Sequence, residues 1–476
     1  MKLYPTIGLE THAELLTESK LFCSCSAKFG GDENEHCCIG CSGFPGAQPK
    51  LNKKAVELIV RAGYALNCEI ARFTKWERKN YFYPDLPTAY QVSQMERPVC
   101  SGGELKINDE KTVKLNRIHL EEDAGKLTHE GGKSFVDYNR AGVPLIEIVT
   151  EPDFHQAQEV VEYVEMLRRI LQYAEVCDGK MEQGSLRCDV NISLATLEDT
   201  NAGRYGTRTE IKNLNSIKAI GRAIEAEIAR QTDILESGGQ IIQQTLRFND
   251  ATGEIVAMRE KADAHDYRYF PDPDIPPVVL TDEEIESFIR NTPELPLRRK
   301  ARYVDEYRLS ESDATIILND KNVSDFFDAS VKVYNSPKTL ANFIVVELLR
   351  RVNLGEVDMA ELPFTVKDFA DLQRFVDEGK VNRDIRKDIL RDMCESGKSP
   401  EQICDEKNLW LKEDSAAVEA VIDAILAANP KAVEQYKSGE MKVFGFLMGQ
   451  ANKELKGSAA PATVKNMLEQ KLNERN

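Results

Sequence analysis

A carboxylate and an imidazole stand two residues apart in IGLETHAEL (Ile7–Leu15), as Glu10 and His12. In an extended chain, Ile7, Leu9, Thr11, Ala13 and Leu15 share one face, and Glu10, His12 and Glu14 share the other. Such a pair can share a cation, and an exposed polar face accounts for this segment alone equally well. PLIEIVTEP (Pro144–Pro152) is harder to read as surface. Leu145, Ile146, Ile148 and Val149 make both faces apolar, yet Glu147 sits among them. A buried carboxylate without a partner costs on the order of several kcal/mol, so Glu147 is expected to meet a cation or a strong donor. RIHLEEDAGK (Arg117–Lys126) adds His119, Glu121, Glu122 and Asp123. Glu10, His12, one of Glu121 and Glu122, and Glu147 together would form an oxygen-rich site with one nitrogen. That donor set suits Mg²⁺ or Mn²⁺ carrying a nucleotide phosphate better than zinc.

Two later segments supply polar strand faces. In SLRCDVNISL (Ser185–Leu194), Leu186, Cys188, Val190, Ile192 and Leu194 oppose Ser185, Arg187, Asp189, Asn191 and Ser193. Arg187, Asp189 and Asn191 in a row read as a phosphate-and-metal surface. TEIKNLNS (Thr209–Ser216) places Glu210 and Lys212 on one face and ends at Asn215-Ser216, a helix N-cap. HEGGKS (His129–Ser134) resembles the end of a phosphate loop, but Leu127 stands where that motif needs Gly. Nucleotide binding here is not of the P-loop kind.

The cysteines of FCSCSAKFGGDENEHCCIGC (Phe22–Cys41) form two close pairs, Cys23/Cys25 and Cys38/Cys41. Two tight knuckles supply the four soft ligands of a structural zinc, with Cys37 and His36 as possible substitutes for one of them. Four thiolates close the coordination sphere, so the chemistry is expected beside the cysteines rather than on them.

These residues must be positioned by a chain of 476 residues, long enough for two to four domains. Its 42% hydrophobic and 30% charged content is that of a globular protein. No apolar run reaches a membrane span and no leader is visible, which predicts a cytoplasmic protein with reduced thiols. The net charge of −17 argues against general nucleic-acid binding without excluding a local basic patch. Val160, Tyr163, Val164, Leu167, Ile170, Leu171 and Ala174 fall at helical spacing, and Ile217, Ile220, Ile224 and Ile228 mark a second helix. The strands between them form no βαβ series, so an α+β domain with a mainly antiparallel sheet is expected over 1–292. The cysteine knuckles form an insertion at about 22–42. Beyond TPELPLRRK (Thr292–Lys300) nearly everything reads as helix, divided into a domain at 293–404 and a tail at 405–476. From Lys431 the tail carries eight Lys/Arg against five Asp/Glu. Its GFLMGQ (Gly445–Gln450) holds glycines in a helical pattern, which close backbone approach would explain.

Taken together, IGLETHAEL, the cysteine pairs followed by GFPGAQP, RKNYFYPDLPTAYQVSQ (Arg78–Gln94), IHLEEDAGK, NRAGVPLIEIVTEPD, GSLRCDVNIS, EIKNLNS, DYRYFPDPD (Asp266–Asp274) and GFLMGQ resemble the B-subunit family of the bacterial tRNA-dependent amidotransferases, in family order and over nearly the whole chain. The resemblance implies a glutamine-synthetase-like cradle, a helical middle domain and a tRNA-binding tail. It implies a heterotrimer with an A-subunit glutaminase and a small C subunit, acting on mischarged tRNA. The expected reaction is ATP-dependent phosphorylation of the side-chain carboxylate of Glu on tRNA-Gln or Asp on tRNA-Asn, followed by amidation with channelled ammonia. Strand alternation alone does not choose between Glu121 and Glu122; the family pattern selects Glu122, giving a Mg²⁺ site of Glu10, His12, Glu122 and Glu147. By the same resemblance Arg187, Asp189, Asn191, Glu210 and Lys212 line the ATP and acceptor pocket, and Lys79, Asn80 and Tyr81 flank the channel exit. Many family members lack the cysteines, which agrees with a structural role for zinc. The rival expectation is a zinc-stapled, tRNA-binding scaffold subunit without chemistry of its own.

Overall fold

A computed structural model describes residues 2–214, 216–260, 267–411, 415–438, 442–455 and 461–474; Asn215, Asp266 and the segment 456–460 lie outside the described residues. The chain divides into two compact units, Met1–Pro296 and Leu297–Asn476.

Unit one is built on a ten-stranded sheet. The elements that matter here are β1 (Leu3–Glu14), α1 (Lys53–Ala65), β2 (Glu77–Asn80), β3 (Tyr90–Ser93), β4 (Thr112–Glu122), β5 (Lys126–Glu130), β6 (Lys133–Asp137), β7 (Pro144–Thr150), α2 (Ala157–Tyr173), β8 (Leu186–Thr196), β9 (Thr209–Leu214), α3 (Ile217–Glu236), β10 (Gln244–Asn249), β11 (Glu254–Glu260) and β12 (Phe270–Pro271). Across the sheet the order is β11-β10-β9-β8-β1-β7-β4, followed by two short edge strands. Among these neighbours β9 and β10 run parallel and the others antiparallel, as an α+β reading requires.

Alternation makes the sheet two-sided. Ile7, Leu9 and Ala13 of β1, Ile118 and Leu120 of β4, and Val190 and Ile192 of β8 are at most 1% exposed, in one core with Val160, Tyr163, Val164 and Leu167 of α2 and Ile220 and Ile224 of α3. At roughly 25 cal/mol per Å² of apolar surface, this one-sided burial drives the assembly of sheet and helices. The opposite face is left to the polar residues. α3 begins where the sequence places it, with the Ser216 hydroxyl accepting from Ala219 N–H at 3.1 Å. A three-stranded sheet of β12, β2 and β3 carries Lys79, and the hairpin β5–β6 stands apart from the large sheet.

Unit two is helical among its described residues, as expected. The expected boundary at 404/405 falls inside a helix, Pro400–Lys407, whose Ile403 and Cys404 are buried. The four last helices share a separate apolar core that starts at Val418. In the helix Lys442–Leu455, a Cβ added at Gly445 or Gly449 would meet nothing, so the chain's own packing does not demand either glycine.

Candidate active site

Register brings the predicted residues to one face of the sheet. His12 pairs with Glu147 of β7 and with Arg187 of β8, and Glu147 pairs with His119 of β4. One step along, Glu10 pairs with Asp189, and Asn191 of β8 pairs with Glu210 of β9. Partners directly across a ladder lie about 5 Å apart on the same face, so this polar stripe is a direct product of strand parity.

The stripe holds two groups able to take a cation. In the first, one ligand atom each from His12, Glu121 and Glu147 lies within 4.8 Å of the others. His12 Nε2 stands 3.4 Å from Glu121 and 3.5 Å from Glu147, and His119 Nε2 is 3.5 Å from Glu147. In the second, Glu10, Asp189 and Glu210 meet the same criterion. Asn191 donates to Glu10 at 3.0 Å, and Lys212 bridges Asp189 at 2.7 Å and Glu210 at 2.9 Å.

This corrects the expected ligand set in two ways. Glu122 does not join His12 and Glu147: it shares the parity of Ile118 and Leu120, faces the other side of β4, and accepts from Val92 N–H at 3.1 Å. Glu121 takes the expected place, and Glu10 belongs to the neighbouring group. Asp189 and Glu210, expected in the nucleotide pocket, are themselves candidate ligands. The signal for Glu121 and for His119 alike was the apolar pair Ile118 and Leu120, which sets the face of their neighbours only from Ile118 onward, because the ladder shifts register before it and Val113 and Leu115 are buried on the other parity.

The electrostatics fit a site that lacks positive charge. Burial disfavours the imidazolium of His12, but its hydrogen bonds to Glu121 and Glu147 outweigh that and hold its pKa up at about 10. Burial also works against the Glu147 carboxylate, yet His119, His12 and Lys79 keep it ionised well below the usual range. His119, fully enclosed, is pushed down by burial. Glu10 is pushed up by burial and by the nearby Glu147 and Glu210. Lys212 is disfavoured by burial but held charged by Asp189 and Glu210. A divalent cation on either group would supply the compensating charge that a proton on His12 and the Lys212 ammonium now supply in part.

The remaining predicted residues also gather here. Lys79 lies close enough to Glu121 and Glu147 to be held protonated by them against its burial. Its ammonium sits 5.1 Å from the Tyr267 ring centroid and 5.9 Å from that of Tyr81. Asn80 does not face the acids; its amide donates to the Tyr267 and Arg268 carbonyls at 3.2 and 2.9 Å and so fastens the segment that leads into β12. Arg187 is bound by Asp123 in a short ion pair, and Arg140 approaches the same carboxylate at 3.5 Å. Asp123 was visible only as one acid among three.

The cysteine loop forms its own centre. The sulfurs of Cys23, Cys25, Cys38 and Cys41 lie within 4.8 Å of one another, with Cys41 3.9 Å from both Cys25 and Cys38. Tetrahedral Zn–S bonds of about 2.3 Å demand S···S separations of about 3.8 Å, so the set fits a metal. Backbone N–H groups of Cys38 and Gly40 and the buried Lys20 ammonium, 3.6 Å from Cys41, point at these sulfurs and would offset thiolate charge. Cys37 and His36 stand outside this group of four. All eleven cysteines are free of disulfides.

Residues 5–286 match the family described as the GatB/GatE catalytic domain, and residues 325–472 match the one described as the GatB domain. The chain belongs to the amidotransferase B-subunit family. It is 49% identical over 478 residues to the aspartyl/glutamyl-tRNA(Asn/Gln) amidotransferase B subunit of Ruminiclostridium cellulolyticum, covering 99% of this chain and 98% of that one. The protein of the same name from Thermoanaerobacter pseudethanolicus is 48% identical, with 99% and 100% coverage. That of Brevibacillus brevis is 45% identical, again with 99% and 100% coverage. Family membership makes this chain a component of an amidotransferase ligase with a role in transamidation. No described helix is long and apolar enough to cross a membrane.

Proposed function

We propose that this chain activates the side-chain carboxylate of a mischarged aminoacyl-tRNA, Glu on tRNA-Gln, Asp on tRNA-Asn or both, by phosphoryl transfer from ATP. The carboxylate oxygen attacks the γ-phosphorus, and the bond to the ADP oxygen breaks. Ammonia then attacks the acyl carbon, a proton leaves the nitrogen, and phosphate departs with the former carboxylate oxygen. A carboxylate is a poor electrophile and its phosphoryl anhydride a good one, so catalysis reduces to positioning and charge compensation.

The observation that carries this reading is the pair of carboxylate groups side by side on one sheet face. His12, Glu121 and Glu147 would hold one Mg²⁺ or Mn²⁺, and Glu10, Asp189 and Glu210 a second. Such cations, when bound, offset the charge that develops on the transferring phosphoryl oxygens. Asn191 and Lys212 fix the second set of carboxylates, while Arg187, braced by Asp123, offers guanidinium donors to the acceptor carboxylate. Lys79 and Tyr81, with Tyr267 fastened by Asn80, border the acids where ammonia from an A-subunit amidase, assembled with a small C subunit, would arrive. The chain has no Ser-rich glycine loop of an amidase, so nitrogen comes from that partner. The Cys23, Cys25, Cys38 and Cys41 centre holds zinc in a structural role, in a cytoplasm that keeps the thiols reduced. The tail presents Gly445 and Gly449 to tRNA, since neither glycine is required by the chain itself.

A zinc-stapled scaffold would gain nothing from gathering six ionisable ligands, two of them buried and four half-buried, on one sheet face. The deciding experiment is to co-purify the complex and supply glutamine, ATP and each mischarged tRNA in turn. ATP-dependent amide formation is expected; tRNA binding without ATP-dependent product would make the chain the scaffold.

A further inference from the structure

A second concavity lies beside the cation face and has no part in the chemistry above. It is a cavity of about 560 Å³ between the loop Ala27–Asn34 and the hairpin β5–β6, and Glu14 and Arg140 form its inner wall. Two phenylalanines stand in it with their rings open to solvent, Phe29 at 75% and Phe135 at 54% exposure. The walls are pinned to each other. Asn34 N–H donates to Asp137 at 3.1 Å and its amide to the Val136 carbonyl at 3.0 Å; Tyr138 N–H returns to Asn34 at 2.8 Å. His36 N–H donates to Asn139 at 2.8 Å, and the Asn139 amide to the Asp32 carbonyl at 2.7 Å. The cysteine centre anchors both ends of the loop that carries Phe29. Exposed aromatic rings on a loop held this firmly are not explained by packing within the chain.

We propose that this groove receives the single-stranded 3′ end of the aminoacyl-tRNA, with its terminal nucleobases stacked on Phe29 and Phe135. The inference rests on the transamidation reading above. Every base has a π face, so stacking on aromatic side chains is the usual means of holding a single strand. Lys28 and Lys126 at the rim have no acidic partner among the described residues and would meet its phosphates. Position supports the assignment. Glu14 is two residues from His12 on the same face of β1, about 7 Å along the strand, which is the reach of an aminoacyl ester from its terminal ribose.

The other nucleobase in the reaction, that of ATP, fits the groove less well. The lining sets four acids, Glu14, Glu33, Glu130 and Asp137, against three bases, Lys28, Lys126 and Arg140. That balance disfavours a triphosphate and tolerates a strand with one charge per nucleotide. A separate cavity of about 310 Å³ borders the opposite end of the site, where Glu10 and Asn191 meet Tyr205 and Arg208. In-line transfer brings donor and acceptor in from opposite sides of the phosphorus, so a nucleotide at that end leaves this groove to the acceptor.

The test uses the co-purified complex with F29L/F135L, which keeps apolar bulk but removes the π faces. The KM for mischarged tRNA is expected to rise roughly tenfold or more. The kcat and the KM for ATP should stay within about twofold, and F29W/F135W should restore the tRNA KM. As a second readout, uncharged tRNA lacking its 3′-terminal nucleotides should inhibit wild type less well than intact tRNA does. In F29L/F135L the two should inhibit equally. An unchanged tRNA KM in an active variant, a rise in the KM for ATP instead, or loss of the partner subunits on purification would each overturn the groove assignment. All three would leave the transamidation reading standing, whereas failure of the wild-type complex to form amide would remove that reading itself.

Discussion

Glu121 and Glu122 differ by one position and face opposite sides of β4, so their substitutions should separate cleanly. Glu121 stands 3.4 Å from His12 and shares the cation group with Glu147. Glu122 sits across the strand against Val92 N–H, where burial pushes its carboxyl up to about 7. Glu121→Gln should lower ATP-dependent amide formation by about 100-fold or more, the scale of removing one preorganised charge from a phosphoryl-transfer site, with tRNA binding retained. Glu122→Gln keeps the acceptor for Val92 and should remain within about threefold of wild type. Both are read as kcat with saturating ATP and mischarged tRNA. The choice between these neighbours was partly legible in sequence, since Ile118 and Leu120 announce which face is buried. Reading the pair without those two residues leaves the face open.

At the scale of elements, long-range pairing was the least legible part. Of the acidic stripe across β8, β1, β7 and β4, the period-two patterns of β8 and β1 are readable alone, whereas β7 is apolar on both faces around Glu147 and β4 leaves Glu121 and Glu122 to be told apart. That Lys79 would be carried to the same acids was not readable from its own segment, only from the resemblance: Lys79 pairs with Gln91 of β3, whose amide donates to the Glu122 carbonyl of β4 at 2.8 Å. The cysteine centre was legible from spacing, because four thiols in two knuckles converge within a single loop. Cys38→Ser, or prolonged chelation, should release about one zinc per chain. It should also loosen the loop that carries Phe29, detected as faster amide exchange at residues 24–36 with little change in β1. In unit two, Arg299 and Lys321 each donate to Asp325 at 2.6 Å. Burial disfavours the Asp325 carboxylate, but Lys321 and Arg299 outweigh it and hold its pKa below the ordinary value. A depressed carboxylate contributes stability above its unfolded pKa of about 3.9 and loses it as pH falls through the folded value. Discounted for partial exposure, Asp325→Asn should cost about 1 kcal/mol at pH 7 by denaturant unfolding. The difference from wild type should hold down to the free carboxylate range and shrink only as pH falls below it, through the depressed folded-state value.

For the whole molecule, we propose that one reaction is divided among separate surfaces: activation on the sheet, nitrogen from another polypeptide, and tRNA held by the groove and the tail. A complex whose amidase partner is inactivated should therefore still form amide when given ammonium salts and ATP, and form none when given glutamine. In the proposed reaction an aminoacyl phosphate forms on the sheet face bearing His12, Glu121 and Glu147. Its most direct test is to supply mischarged tRNA carrying ¹⁸O in the side-chain carboxylate and to measure the isotope in released phosphate. One ¹⁸O should move into phosphate for each amide formed, and Glu121→Gln should lower both together by about 100-fold or more. Amide formed without ¹⁸O in phosphate, or transfer that survives Glu121→Gln and disappears in Glu122→Gln, would contradict the account.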